Sequence, residues 1–158
     1  MDEYLKKQNL MFHHSGHINN QPSAASLLGI PESKTTTTGM STILGLQSLF
    51  EDIDIGIVPL NDVPFNHAKS YLKGLEYAAA MVPFVASPAP EYEVLAQHGI
   101  GRIARTPAQW MSHFDELLDY GMRRDEAMTN REILDEHFSI ESRAREWEQT
   151  YSNIMDIT

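Results

Sequence analysis

The segment 54–87 shows three successive patterns of apolar and polar residues. Residues 54–58 form a short apolar run rich in β-branched side chains and ended by proline, which is typical of a buried parallel strand. Over 66–81 the apolar residues recur at helical spacing, and Asn66 is placed to cap the start of that helix. A second apolar run follows at 84–86. The order strand, helix, strand predicts a βαβ unit with parallel strands.

Shorter segments on both sides extend this alternation of strands and helices. Apolar runs predict further strands at 9–13 and 99–104, while the threonines at 35–38 fit either an edge strand or a loop. Helical spacing predicts three more helices, at 21–30, 40–50 and 91–98.

From Thr106 onward the pattern is helical only. Thr106 is a helix N-cap followed by proline at the first helical position, and further helices are predicted at 123–138 and from Ser139. Trp147 and Tyr151 lie four residues apart on the last helix, where their rings are expected to pack as a pair.

These elements predict an α/β fold, a Rossmann-like open parallel sheet flanked by helices with a helical carboxyl-terminal segment. The sheet and its helices are expected over 9–105, after a lead-in at 1–8. The helices of 106–158 are expected to pack on the same domain. A chain of 158 residues is the size of one ordinary domain.

Composition and charge narrow the functional classes. A hydrophobic fraction of 42% indicates a globular protein, and no apolar run is long enough to predict a transmembrane segment or a signal core. The absence of cysteine excludes disulfides and thiolate chemistry and agrees with a cytoplasmic location. A formal charge of −10 argues against nucleic acid as a partner, although a small basic site can still hold a nucleotide.

The polar residues of the βαβ unit fall where open α/β sheets bind ligands, between the end of a strand and the start of the next helix. A helix amino terminus offers free N–H groups and a partial positive charge, which suits a phosphate. Lys69 and Lys73 add full charges and Ser70 adds a hydroxyl. Glu76 lies on much the same side of the helix, where its carboxylate can accept hydrogen bonds from a ribose. The alternative is an ordinary surface pair between Lys73 and Glu76.

At these positions the sequence resembles a known family. The segments DIGIVPL, PFNHAKSYLKGLEYAA and VPFVAS look like the nucleotide-sugar-binding motif in the carboxyl-terminal domain of GT-B-type glycosyltransferases. By this resemblance Glu76 holds the ribose of the donor. Lys69, Ser70 and Lys73 are candidates for the phosphate and donor-sugar side, and Asn66 is a further candidate donor-binding residue. Many relatives have another glutamate where this chain has Ala68, so that sugar contact is left unassigned.

The resemblance extends more loosely over 9–151 and places the first loop of the core at the donor. Gly16 permits close backbone approach to a ligand, so Gly16 and His17 are candidate donor-binding residues, with Ser15 of second rank. A metal site among the three neighbouring histidines is disfavoured, since the segment offers no carboxylate partner and alternate strand residues point oppositely. Neither a metal ion nor another cofactor is expected.

The loop after the second strand of the βαβ unit opens towards the same crevice of a doubly wound sheet. Second-rank candidates for donor binding there are Ser87, Glu91 and Tyr92. Arg102 and Arg105 flank the last predicted strand and are either phosphate contacts or surface residues.

Two functions and a weaker third are compatible with this pattern. The first is the donor-binding half of a glycosyltransferase, which binds a nucleoside-diphosphate sugar and transfers a hexose to an unknown acceptor. It would require an amino-terminal acceptor-binding domain or chain, on which Trp147 and Tyr151 are candidates for docking. The second is a catalytically silent nucleotide-sugar-binding or assembly module. The third is a response-regulator-like α/β domain without nucleotide function, although the acidic cluster of such regulators is missing.

Overall fold

The computed structural model describes residues 2–16, 20–39, 42, 45 and 47–155. The chain divides into two compact units, Met1–Ile53 and Asp54–Thr158. The predicted α/β class is confirmed, because each unit contains a small parallel sheet with helices between its strands. One continuous sheet was expected over 9–105, whereas the described part of the chain has a two-stranded and a three-stranded sheet.

The first unit is built on the two-stranded sheet. Its elements are α1 (Asp2–Lys7), β1 (Phe12–Ser15), α2 (Ala24–Leu27), a 3₁₀ turn (Glu32–Lys34) and β2 (Thr35–Thr38). β1 pairs in parallel with β2, with Phe12 opposite Thr35. The four threonines therefore form a strand, which was one of the two interpretations left open by the sequence. A small core is formed by Leu5, Leu10, Phe12, Ala25 and Ile30.

Two predicted elements of this unit are shorter or displaced. The first strand begins at Phe12 because Asn9 adopts a left-handed conformation and the Leu10 N–H donates to the Leu5 carbonyl, an arrangement that ends α1. The predicted helix at 21–30 is reduced to the four residues of α2. Part of the helix predicted at 40–50 lies outside the described residues, and Gln47–Leu49 forms a 3₁₀ turn.

The second unit is built on the three-stranded sheet, and it confirms the predicted βαβ unit. Its elements are β3 (Gly56–Val58), α3 (Pro64–His67), α4 (Leu72–Ala79), β4 (Phe84–Ala86), α5 (Pro90–Gln97), β5 (Arg102–Ile103), α6 (Pro107–Leu117), α7 (Tyr120–His137) and α8 (Ile140–Met155). The strands are parallel in the order β3-β4-β5. Phe84, Tyr92, Leu95 and Ile100 form the centre of the core.

The prediction of a single helix over 66–81 is wrong, because the structure has two helices in this part of the chain. α3 is one short turn with Pro64 at its first position, and α4 begins only at Leu72. Proline favours a helix start, so the first turn nucleates at Pro64. Asn66 lies inside α3, where its Nδ2 donates to the Asn61 carbonyl at 2.9 Å. Asn66 is therefore not the N-cap of the helix that joins the two strands.

The carboxyl-terminal helices agree more closely with the sequence. Thr106 caps α6, and its hydroxyl oxygen accepts the Gln109 N–H at 3.2 Å. α7 begins three residues before its predicted start because Asp119 caps it. The rings of Trp147 and Tyr151 on α8 are 6.3 Å apart, which confirms the predicted pair, and both are largely exposed. Within the described residues, no helix is long and apolar enough to cross a membrane.

Candidate functional site

An open cavity of about 440 Å³ lies at the carboxyl ends of β3, β4 and β5, and we call it the strand-end crevice. Leu60 lies just after β3, Ser87 follows β4 and Ala104 follows β5. Parallel strands end at the same edge of their sheet, where open α/β sheets bind ligands. The polar and aromatic side chains that line the crevice are Asp62, Ser87, Arg105, Thr106 and Trp110.

Backbone and hydroxyl hydrogen bonds fix the floor of the strand-end crevice. The Ser87 N–H donates to the Val58 carbonyl at 3.0 Å, and the Leu60 N–H donates to the Ser87 hydroxyl oxygen at 3.0 Å. On the other side, the Ala104 N–H donates to the Ala86 carbonyl at 2.9 Å. These bonds continue the sheet ladder beyond the last strand residues. Ser87 thereby ties the loop after β3 to the end of β4.

A reciprocal cap at the start of α6 fixes the opposite wall. While Thr106 accepts the Gln109 N–H, the Gln109 side chain accepts the Arg105 N–H at 2.7 Å. A capping arrangement of this kind satisfies two amide groups at once and orders the chain entering the helix. Sequence reasoning missed the role of Gln109, although the Thr-x-x-Gln spacing was a usable signal.

Two charged side chains at the rim of the crevice each have a side-chain partner within the protein. Arg105 Nη2 lies 2.7 Å from Glu93 Oε1, and this hydrogen bond raises the pKa of the guanidinium. Asp62 Oδ1 lies 2.6 Å from His67 Nε2. Both Arg105 and Asp62 remain more than half exposed. The rim therefore offers a hydrogen-bond donor, Arg105, and an acceptor, Asp62, each positioned by its partner, rather than a cluster of like charges.

Trp110 forms an aromatic wall of the crevice. Its indole ring is partly exposed and packs on the ring of buried Phe114, with centroids 5.6 Å apart. Pro88 and Pro107 add flat apolar surface next to it. A crevice with apolar walls and a few convergent polar groups has the features of a small-molecule site. Sequence reasoning gave Trp110 no role in a site.

The residues assigned to the diphosphate lie beside this crevice and do not line it. Lys69 and Ser70 are exposed in the linker between α3 and α4. The Lys69 ammonium lies 5.1 Å from the centroid of the Phe65 ring, a cation–π contact. Asp62 lines the crevice from the loop before α3, so the single turn of α3 separates it from the predicted phosphate residues.

Lys73 and Glu76 form an ion pair across one turn of α4. This pair is the alternative that the sequence left open for these two residues. The Glu76 side chain is mostly covered, at 23% exposure. Burial raises the pKa of the neighbouring Tyr77 and Tyr92 hydroxyls, and the negative charge of Glu76 raises it further. A ribose or a phosphate would therefore have to compete with the bond between Lys73 and Glu76.

The second-rank candidates differ in whether they line the crevice. Ser87 lines the strand-end crevice, whereas Tyr92 is buried in the core with its ring edge-on to Phe84 at 6.3 Å. Burial raises the pKa of Tyr92 to about 12. Tyr92 is therefore a core residue and not a crevice contact. Glu91 is partly buried in the first turn of α5.

Arg102 is committed to the protein itself. Its Nε donates to Glu126 Oε2 at 2.7 Å and its Nη1 donates to Glu116 Oε2 at 2.5 Å. The guanidinium is mostly covered, at 16% exposure. Because two carboxylates occupy its donors, Arg102 is a structural ion-pair residue, while Arg105 is the arginine that lines the crevice.

In the first unit, the loop after β1 carries the remaining candidates. Ser15 ends β1, and the Gly16 N–H donates to the Thr38 carbonyl at 3.2 Å. A Cβ at Gly16 would meet nothing within 4 Å, so the backbone there is open to approach. His17 lies outside the described residues.

The histidines of β1 bond to threonines of β2. His13 places Nδ1 2.8 Å from the Thr36 hydroxyl and Nε2 3.1 Å from the Thr38 hydroxyl. His14 places Nε2 3.2 Å from the Thr37 hydroxyl. Over the part of the chain that the structure describes, no three histidine or acidic side chains are grouped to hold a metal ion.

Comparison with known proteins adds no assignment to this geometry. A scan against protein-family models and a search of curated proteins each find no match.

Proposed function

We propose that this chain binds a nucleoside-diphosphate sugar as the donor-binding domain of a GT-B-type glycosyltransferase, on a Rossmann-like open sheet. The supporting observation is the course of the chain between β3 and α4. It lines the strand-end crevice with Leu60 and Asp62, passes through the single turn of α3 and then reaches Lys69 and Ser70. The βαβ unit of the second unit, with its parallel strands, is the framework on which such donors bind.

In this proposal the diphosphate lies over the linker before α4. Lys69 and Ser70 are exposed there and can contact phosphate oxygens. This linker leads into the amino terminus of α4, where the helix dipole favours an anion. These contacts need no bound metal ion to balance the leaving group.

The ribose is assigned to Glu76, one turn into α4. Its carboxylate bonds to Lys73. On donor binding, Glu76 accepts hydrogen bonds from ribose hydroxyls while Lys73 turns to a phosphate. The exchange pairs Lys73 with a phosphate and leaves Glu76 hydrogen-bonded to the hydroxyls, so neither charged group is without a partner.

Transfer also requires an acceptor site and, for an inverting reaction, a general base. We assign both to a partner domain or chain, which in GT-B enzymes faces the donor domain across a cleft. The alternative function is a nucleotide-sugar-binding or assembly module without turnover. Both functions predict donor binding, and they differ in whether the donor is hydrolysed or its sugar is transferred.

Calorimetric titration with uridine and guanosine diphosphate tests the proposal. One of the two is expected to bind, and the 2′-deoxy form of that nucleotide is expected to bind about tenfold more weakly because it lacks one hydroxyl for Glu76. In Glu76→Ala, the nucleotide and its 2′-deoxy form are expected to bind equally. This comparison isolates the ribose contact, since the release of Lys73 affects both ligands alike.

Glu146→Ala is the matched control. Arg143 and Glu146 form an ion pair with the same spacing on α8, and its loss leaves the discrimination between the two ligands unchanged. If neither uridine diphosphate nor guanosine diphosphate binds, the donor site is refuted. Binding with equal discrimination in wild type and Glu76→Ala would refute the assignment of Glu76.

A further inference from the structure

We infer that the strand-end crevice is a subsite for a neutral pyranose ring, with Trp110 as its stacking surface and Asp62 and Arg105 as its hydrogen-bonding partners. None of these three residues belongs to the motif on which the nucleotide site rests. The crevice holds about 440 Å³, within the usual range of small-ligand sites.

The shape of the crevice suits the apolar face of a sugar ring. The partly exposed indole of Trp110 packs against the Phe114 ring, with centroids 5.6 Å apart, and this contact restricts its orientation before a ligand arrives. A preformed flat wall saves the ligand the free energy of ordering that side chain. Pro88 adds further flat apolar surface to the lining.

The polar groups suit hydroxyls better than a phosphate. Asp62 is an acceptor when ionised and Arg105 is a donor only, while Ser87 and Thr106 have hydroxyls. A sugar hydroxyl both donates and accepts, so one ring can satisfy all of these groups. A phosphate would be repelled by Asp62 and would have to compete with Glu93 for Arg105.

A nucleobase is the other flat ligand that could stack on Trp110. It has few hydrogen-bonding groups along its edge, so it would use only some of the hydrogen-bonding positions that remain around the rim. A ring with several hydroxyls places donors and acceptors around its whole circumference. The sugar is therefore the ligand that the full set of lining groups favours.

The inference rests on the proposed function only for the origin of the sugar, which is either the hexose of the donor or a saccharide acceptor. The shared chemistry is a pyranose with free hydroxyls. Free glucose, galactose, mannose and N-acetylglucosamine test this chemistry without any nucleotide. A nucleotide-binding failure and a sugar-binding failure are then separate results.

Tryptophan fluorescence is the direct readout, because the chain has two tryptophans. In Trp147→Phe, Trp110 is the only tryptophan that remains. At least one of the four sugars is expected to change its emission saturably, and glycerol at the same concentration is the control for non-specific solvent effects. Arg105→Ala and Asp62→Ala, both at exposed side chains, are each expected to weaken sugar binding, raising the half-saturation concentration about fivefold or more.

The other outcomes overturn the inference. If none of the sugars changes the emission, or if the Arg105 and Asp62 variants respond as strongly as their parent, the crevice is not a pyranose subsite. If uridine or guanosine changes the emission and the sugars do not, the crevice is a base site. Once a sugar binds, the response of the same protein to a nucleoside-diphosphate sugar and to a free disaccharide separates a donor subsite from an acceptor subsite.

Discussion

The Lys73 ammonium and the Glu76 carboxylate are bonded to each other across one turn of α4. The residues that the sequence assigns to phosphate and ribose are therefore partners in the ligand-free protein. Such a pair holds both side chains on one face of the helix. It also means that the cost of breaking the bond is part of the affinity for any ligand that uses them.

We predict that Glu76→Gln lowers the free energy of unfolding by no more than about 0.5 kcal/mol, the usual contribution of a pair three residues apart on a partly exposed helix face. Urea denaturation measures this change. Glu146→Gln, which breaks the pair of the same spacing on α8, is the control and is expected to have an equal or smaller effect. A loss several times larger would mean that Glu76 supports the neighbouring tyrosines of the core rather than a ligand site.

β3 and β4 were predictable because buried parallel strands are continuous apolar runs, here with proline beside them. The strand at Phe84–Ala86 agrees with its prediction at both ends. The division of one predicted helix into α3 and α4 was not predictable from apolar spacing, since Ala68 in the linker and Leu72 in α4 continue the same period across the break. Only Pro64, which favours a helix start, indicated where the first turn would form.

The site residues also divide into those that the sequence predicted and those that it did not. Ser87 was found because its position follows from the end of a strand. Asp62, Arg105 and Trp110 meet in one crevice only after β5 and α6 have packed, so their proximity depends on contacts between distant segments. The engagement of Arg102 by Glu116 and Glu126 is equally remote in sequence, and the sequence left its role open.

Packing of α4 on the core depends on Gly74. A Cβ at this position would lie 2.7 Å from Leu95 Cδ1 and 2.9 Å from Phe84 Cζ. Gly74→Ala is expected to destabilise the protein by about 1–3 kcal/mol, even though alanine is the better helix former by about 1 kcal/mol. Urea denaturation measures the loss. Combining it with Leu95→Val is expected to cost less than the sum of the two single changes. Additive losses would show that Leu95 does not limit the space at Gly74.

The ion pair between Glu116 and Arg102 makes stability depend on pH. The hydrogen bond from Arg102 lowers the pKa of Glu116 below its usual 4.5. The unfolded chain therefore takes up this proton at a higher pH than the folded protein. The stabilisation is fully present above about pH 4.5 and is lost as the pH falls through the lowered pKa.

We therefore expect the difference in free energy of unfolding between wild type and Glu116→Gln to shrink as the pH falls below about 4.5. Urea denaturation at a series of pH values measures the difference. Glu148→Gln, at an exposed position of α8, is the control for the loss of one carboxylate. A difference that stays constant from neutral to acidic pH would contradict the role of Arg102.

Asn130 on α7 is fully buried, and neither its Oδ1 nor its Nδ2 forms a hydrogen bond within the described residues. Burial of an unpaired amide costs about 1–3 kcal/mol, so Asn130→Leu, which keeps the branched shape, is expected to raise the free energy of unfolding by about 1–2 kcal/mol. Asn130→Asp is expected to lower it, because a buried carboxyl has no partner there. Chemical denaturation of the three proteins measures both changes. A loss of stability in Asn130→Leu, with wild-type stability in Asn130→Asp, would show that the amide is hydrated and that its pocket admits water.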